Sequence, residues 1–271
     1  MSFAEQQAWF ELLAASDERG LAEIVAAAGF GEPRKTAANL CMLNAAFDDQ
    51  RLIVEITRHA LTAADPDLAL NNLERLTATV DTSDLAVVLV DQTSTLQLLT
   101  ILGASPFLTG ILCRRAGFFA GLFRKGQINH AKTEQQMCDE LRQLIDDAAD
   151  TAQMKKGLRT YKAEEILRIG ARDLCGMADL EEVTAELSAL AAATLQRAYE
   201  ICSGQLKKEY GETVKFDKKY AKKKPLDVDF SNPFGILKFY AELLEKDCPF
   251  TVNALFHSMG NYLLKQVLMT T

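Results

Sequence analysis

LRTYKAEEILRIGARDLCGMADLEEVTAELSALAAATL, residues 158–195, decides the fold class, because two helices and the turn between them are written into it. From about Lys162 to Leu174 the apolar Ile166, Ile169 and Leu174 fall on one side, while Glu164, Arg168 and Arg172 succeed one another at i,i+4. That spacing predicts an amphipathic helix with a salt-bridged outer stripe. Gly176 breaks the pattern, Asp179 is placed to accept the free amides of a new helix, and Glu182, beside Glu181, completes a capping-box-like pair. In the second helix Val183, Leu187, Leu190, Ala191 and Leu195 recur at near-heptad spacing, with alanines that let a neighbouring helix approach. The unit is a helical hairpin, and Val183, Leu187, Leu190 and Leu195 are expected to be buried against the preceding helix.

A chain of 271 residues, 48% hydrophobic and 25% charged, has enough apolar mass for one or two domains with their own cores. Its net charge of −7 argues against general attraction to nucleic acid or an anionic membrane. The six cysteines, Cys41, Cys113, Cys138, Cys175, Cys202 and Cys248, are scattered without a CxxC pair, which reads as free thiols in a reducing compartment. MSFAEQQAW has no apolar signal core, and no run reaches the ~18 apolar residues of a membrane span. A cytoplasmic protein is expected.

Up to about residue 212 each apolar-periodic run carries its own start and stop signals, so this region is read as an irregular helical bundle. Phe3 to Ala15 is the first helix; Ser16 caps a second, ended by Gly29 and Gly31 before Pro33 opens the next. Asp48 or Asp49 caps the run containing Leu52, Ile53, Ile56 and Leu61, and Asp65-Pro66 starts the helix ALNNLERL. The stretch from Ser83 to Gly103 is strand-like at its start but too long for one strand, and is read as a single helix. Ser105-Pro106 begins the next, with Phe107, Leu108, Ile111, Leu112, Phe118, Phe119, Leu122 and Phe123 assigned to the core. Met137, Leu141, Leu144 and Ile145 form a narrow inward stripe in the more polar stretch that follows.

LLTILGASPFLTGILCRRAGFFAGLF at 98–123, the hairpin sequence and ALNNLERL at 69–76 together resemble the helical region of the glutamine synthetase adenylyltransferase and adenylyl-removing enzyme family, over roughly residues 1–212. The resemblance implies a role in transferring AMP between ATP and a tyrosine of glutamine synthetase, or in removing it by phosphorolysis. It also implies Mg²⁺ and ATP as cofactors, and glutamine synthetase and the PII signalling protein as partners. In such an enzyme this region leads into a nucleotidyltransferase domain, which Glu164, Arg168, Arg172 and Asp173 would be placed to touch. A surface charge stripe is the simpler reading of those four residues.

The chain departs from the family after about residue 212. In place of a glycine-rich turn followed by paired carboxylates, it reads FDKKYAKKKPLDVDF. Asp227 and Asp229 alternate as a metal-binding pair on a strand would, the alternative being a solvated loop or edge strand. Lys215, Lys218, Lys219, Lys222, Lys223 and Lys224 read as a hydrated linker over 213–231, or as a phosphate or single-strand contact with Phe216 and Tyr220 for stacking. Residues 232–271 read as a helix-strand-helix segment in which HSMGN resembles the nucleophile elbow of α/β-hydrolases, with Ser258 on the turn. Its acid and histidine partners are missing: His257 is adjacent in sequence, and His59 and His130 lie upstream as structural histidines. Ser258 is therefore not expected to be an efficient nucleophile. Two pieces that each stop short of a catalytic remainder suggest a truncated or composite chain, with a truncated serine hydrolase or a noncatalytic interaction module as the alternatives.

Overall fold

Capping residues divide the chain into successive helices, and the computed structural model describes them over residues 3–146 and 150–210. In order these are α1 (Phe3–Ala15), α2 (Glu18–Ala28), α3 (Pro33–Phe47), α4 (Gln50–Ala60), α5 (Pro66–Thr77), α6 (Thr82–Val90), α7 (Gln92–Ala104), α8 (Pro106–Arg114) and α9 (Ala116–Leu122). A 3₁₀ turn at Gln127–Asn129 then leads to α10 (Glu134–Leu144), α11 (Thr151–Leu174) and α12 (Leu180–Tyr210). Among the described residues the fold is all-α, as the sequence predicts. The proposed linker at 213–231 and the helix-strand-helix segment at 232–271 lie outside the described residues.

Several expected boundaries are present. Asp49, Asp65 and Ser105 accept the amides of Leu52, Leu68 and Leu108, and Gly29 closes α2 in the left-handed conformation. Others are corrected. The cap of α2 is Asp17, which accepts from the amides of Arg19 and Gly20, while Ser16 takes a positive φ of 51°. The run from Ser83 to Gly103 is two helices bent by 114°, because the Asp91 carboxylate accepts from the amide of Ser94 and restarts the helix there. No single helix among the described residues is long and apolar enough to cross a membrane. The first helix of the hairpin begins at Thr151 rather than near Lys162, with Asp150 and Gln153 forming a reciprocal capping box.

Two apolar cores result. The larger gathers side chains such as Leu21, Leu40, Ile53, Leu73, Leu98 and Phe119 from α1 to α9 and takes Leu167 and Ala171 from α11. The smaller joins Met137 and Leu141 of α10, Met154 and Ile169 of α11, and Val183, Leu190, Ala193 and Ile201 of α12. Ile166 packs against both, so α11 is the wall the two cores share. Its close fit to α8 depends on Gly170, where a Cβ would come within 2.9 Å of Leu108 Cδ1. On the other side of the first core, the buried Asn72 of ALNNLERL donates to the carbonyl of Leu102 at 2.8 Å, tying α5 to α7. Phe107, Leu144 and Leu187, all expected inside, are 62%, 52% and 38% exposed, and Leu174 is exposed too. Each sits at the edge of an apolar stripe, where helical spacing alone cannot separate the last buried position from the first exposed one.

Candidate functional site

Charged side chains concentrate where α11, α12 and the segment entering α10 meet. On α11, Glu165, Arg168 and Arg172 follow at i, i+3 and i+7, the spacing of a buried stripe, and they point inward. The outer stripe predicted from Glu164, Arg168 and Arg172 is thereby corrected: Arg168 is 0% and Arg172 4% exposed. Glu164 is half-buried, and only Asp173 of the four is at the surface. Across from them α12 supplies Glu182 and the buried Glu186.

The pairing is dense. Arg168 Nε donates to Glu165 Oε2 at 2.9 Å, its Nη2 donates to Glu186 Oε1, and its Nη1 donates to the carbonyl of His130 at 2.7 Å. Arg172 lies with Nε 3.3 Å from Glu186 Oε2, pairs through Nη2 with Glu182, and donates from Nη1 to the carbonyl of Ile128 at 3.3 Å. Lys132 Nζ bridges Glu165 Oε1 at 2.6 Å and Glu140 Oε2 at 2.8 Å, and its backbone amide donates to Glu186 Oε1 at 2.8 Å. Tyr161 donates to Glu140 Oε2 at 2.6 Å. The capping box expected at Asp179 is only half present. Asp179 accepts the amide of Glu182, but the Glu182 carboxylate is turned to Arg172 instead.

Two members of the network are held in their protonated forms by their surroundings. Burial pulls the Arg168 guanidinium down, but the Glu165 and Glu186 carboxylates outweigh it, and its pKa ends above the ordinary value. Burial and the hydrogen bond to Glu140 push the Tyr161 phenol well above its usual range. Every carboxylate in the network faces a guanidinium or an ammonium, which suits a clamp and not a proton-transfer site. The clamp ties the backbone of Ile128, His130 and Lys132 to the α11–α12 hairpin and sets the register of the smaller core.

The residues chosen from sequence for chemistry are not brought together by the described fold. Ser258, His257, Asp227 and Asp229 lie outside the described residues. His59 is a half-buried helix residue with Nε2 3.9 Å from Glu55, and His130 is exposed, contributing its carbonyl to Arg168. Among the described residues no group of three or more His, Cys, Asp or Glu side chains is arranged to hold a metal ion. The described cysteines are free thiols, and burial raises Cys175 to about 11. Sequence reasoning missed the network because it took charge as a sign of exposure. The signal was the placement of Arg168 and Arg172 on α11 opposite Glu182 and Glu186 on α12.

Residues 95–226 match the model of the family described as glutamate-ammonia ligase adenylyltransferase. The segment opens in α7 and contains α8 to α12, and so includes the whole charge network. A bifunctional glutamine synthetase adenylyltransferase/adenylyl-removing enzyme from Shewanella loihica is 34% identical over 117 residues, 43% of this chain and 12% of that protein. The enzyme of the same description from Streptomyces coelicolor is 31% identical over 175 residues, 63% of this chain and 16% of that protein. The one from Burkholderia mallei is 41% identical over 59 residues, 22% of this chain and 6% of that protein. No solved structure matches. The helical region of this chain is thus similar to that of the glutamate-ammonia ligase adenylyltransferase family, within a chain that spans about an eighth of the first of these relatives.

Proposed function

We propose that this chain is a helical module of glutamine synthetase adenylylation, acting with a nucleotidyltransferase centre that moves AMP between ATP and glutamine synthetase. The observation that carries this reading is the family match over 95–226, which coincides with the α7–α12 half of the bundle and its buried clamp. A clamp of this kind gives a helical hairpin one register, which is what a scaffold needs if it is to hold a catalytic domain or a protein substrate in place. Mg²⁺ and ATP belong to the reading through the family chemistry. The described carboxylates do not fit a metal, since those that cluster are already paired to Lys132, Arg168 and Arg172. No step through Mg²⁺ or ATP is therefore assigned to the described residues. Glutamine synthetase is the protein partner and the PII protein the regulatory one, in the cytoplasm.

Incubation of the chain with labelled ATP, Mg²⁺ and glutamine synthetase tests the division of labour. The expected result is no transfer by the chain alone. Transfer that disappears in Asp227→Ala or Asp229→Ala would place the metal pair in this chain and overturn the scaffold reading.

A further inference from the structure

Away from the clamp, where α8 crosses α11, Ile111, Arg114, Arg115 and Ala163 line a pocket of about 400 Å³. Successive side chains on a helix diverge by about 100°, so neighbouring arginines do not ordinarily share a site. Here α8 ends at Arg114, and Arg115 leaves the helical conformation with φ −121° and ψ 46°, and both residues line one opening. Gly110 makes room for the first of them: a Cβ there would lie 3.2 Å from Arg114 Nη1. Among the described residues neither guanidinium has a hydrogen bond or an ion pair, whereas Arg58, Arg124, Arg142, Arg168 and Arg172 each face a carboxylate. Burial raises the pKa of Glu164 on α11, and the charge of Arg115 partly opposes that rise without an ion pair between them.

We propose that this pocket is a docking point for a carboxylate carried by an acidic segment of a partner protein. Arg34, Arg51 and Arg159 also lack an ion pair among the described residues, but Arg114 and Arg115 line one pocket that has no acidic lining residue, a setting an incoming carboxylate satisfies bidentately. Ile111 and Ala163 give an apolar wall against which the methylenes of a glutamate side chain rest. With four lining side chains the pocket does not enclose a small molecule as an enzyme site does, and suits a side chain held in place by a larger surface.

Fluorescence anisotropy of a labelled hexaglutamate peptide with the full chain, at constant ionic strength, tests this. Saturable binding is expected, weakened about fivefold by Arg114→Gln or Arg115→Gln and further by the pair. Arg159→Gln, on the exposed part of α11, is the control and leaves it unchanged. Circular dichroism establishes that each variant is folded. Binding that survives both pocket substitutions would belong to the lysines at 215–224 and would overturn the proposal. Saturable binding of inorganic phosphate that depends on Arg114 and Arg115, without peptide binding, would make this a small-anion site and overturn it equally.

Discussion

Replacing Arg168 with alanine is the most informative single change, because its side chain is fully buried and engages three partners. The substitution leaves the nearly inaccessible Glu165 with Lys132 and Glu186 with Arg172 as remaining counter-charges, and orphans the carbonyl of His130. Removing one member of a buried ion pair costs about 3–5 kcal/mol, a large fraction of the about 5–15 kcal/mol that stabilises a typical domain. In urea, monitored by circular dichroism at pH 7, the midpoint should fall by about 1–2 M. A pH series adds a second check. A buried carboxylate that loses one of its counter-charges holds its proton more tightly than it does in the wild type. Protonation then relieves the variant more than the wild type, so the variant's deficit should shrink as the pH is lowered toward 4. A loss below about 1 kcal/mol, or a deficit independent of pH, would refute the buried clamp.

Gly170→Ala brings a methyl within 2.9 Å of Leu108 Cδ1 and should destabilise by about 1–3 kcal/mol in the same unfolding assay, with α8 and α11 forced apart. Leu187→Ala, for which a fully enclosed side chain would imply about 2–5 kcal/mol, should cost less than about 1 kcal/mol, since the residue is 38% exposed. Glu200 is held at about 2 by hydrogen bonding to Arg142, so its contribution is complete above the ordinary carboxylate range near 4.5 and is lost as the pH falls toward 2. Arg142→Ala should therefore flatten the acid limb of the stability curve over that window; an unchanged limb would deny the pairing. At pH 8, iodoacetamide should modify the exposed Cys202 well before Cys175, as mass spectrometry of partially labelled protein would read.

Much of the fold was legible because helix boundaries are local chemistry. Asp65-Pro66, Ser105-Pro106, Gly29 and Asp179 each do at their own position what their side chains or backbone freedom allow. Asp91 was the exception: it lies inside an apolar run, and periodicity outweighed a capping signal that Ser94 confirms. The clamp was less legible, because the partners of Arg168 come from residues 130, 165 and 186, and only the folded hairpin brings them together. Arg114 and Arg115 were equally silent, since the opening they line also takes Ala163 of α11, which only the fold brings beside them. Family vocabulary filled part of the gap: LLTILGASPFL and the hairpin wording pointed to the same relatives that residues 95–226 match.

The most direct test of the functional account is the equilibrium association of the full chain with glutamine synthetase, measured by biolayer interferometry with the chain immobilised. The account predicts saturable binding that persists in Ser258→Ala and weakens in Arg168→Ala under conditions where that variant is partly unfolded. Absence of any association at concentrations up to tens of micromolar, with the wild-type chain folded by circular dichroism, would contradict it.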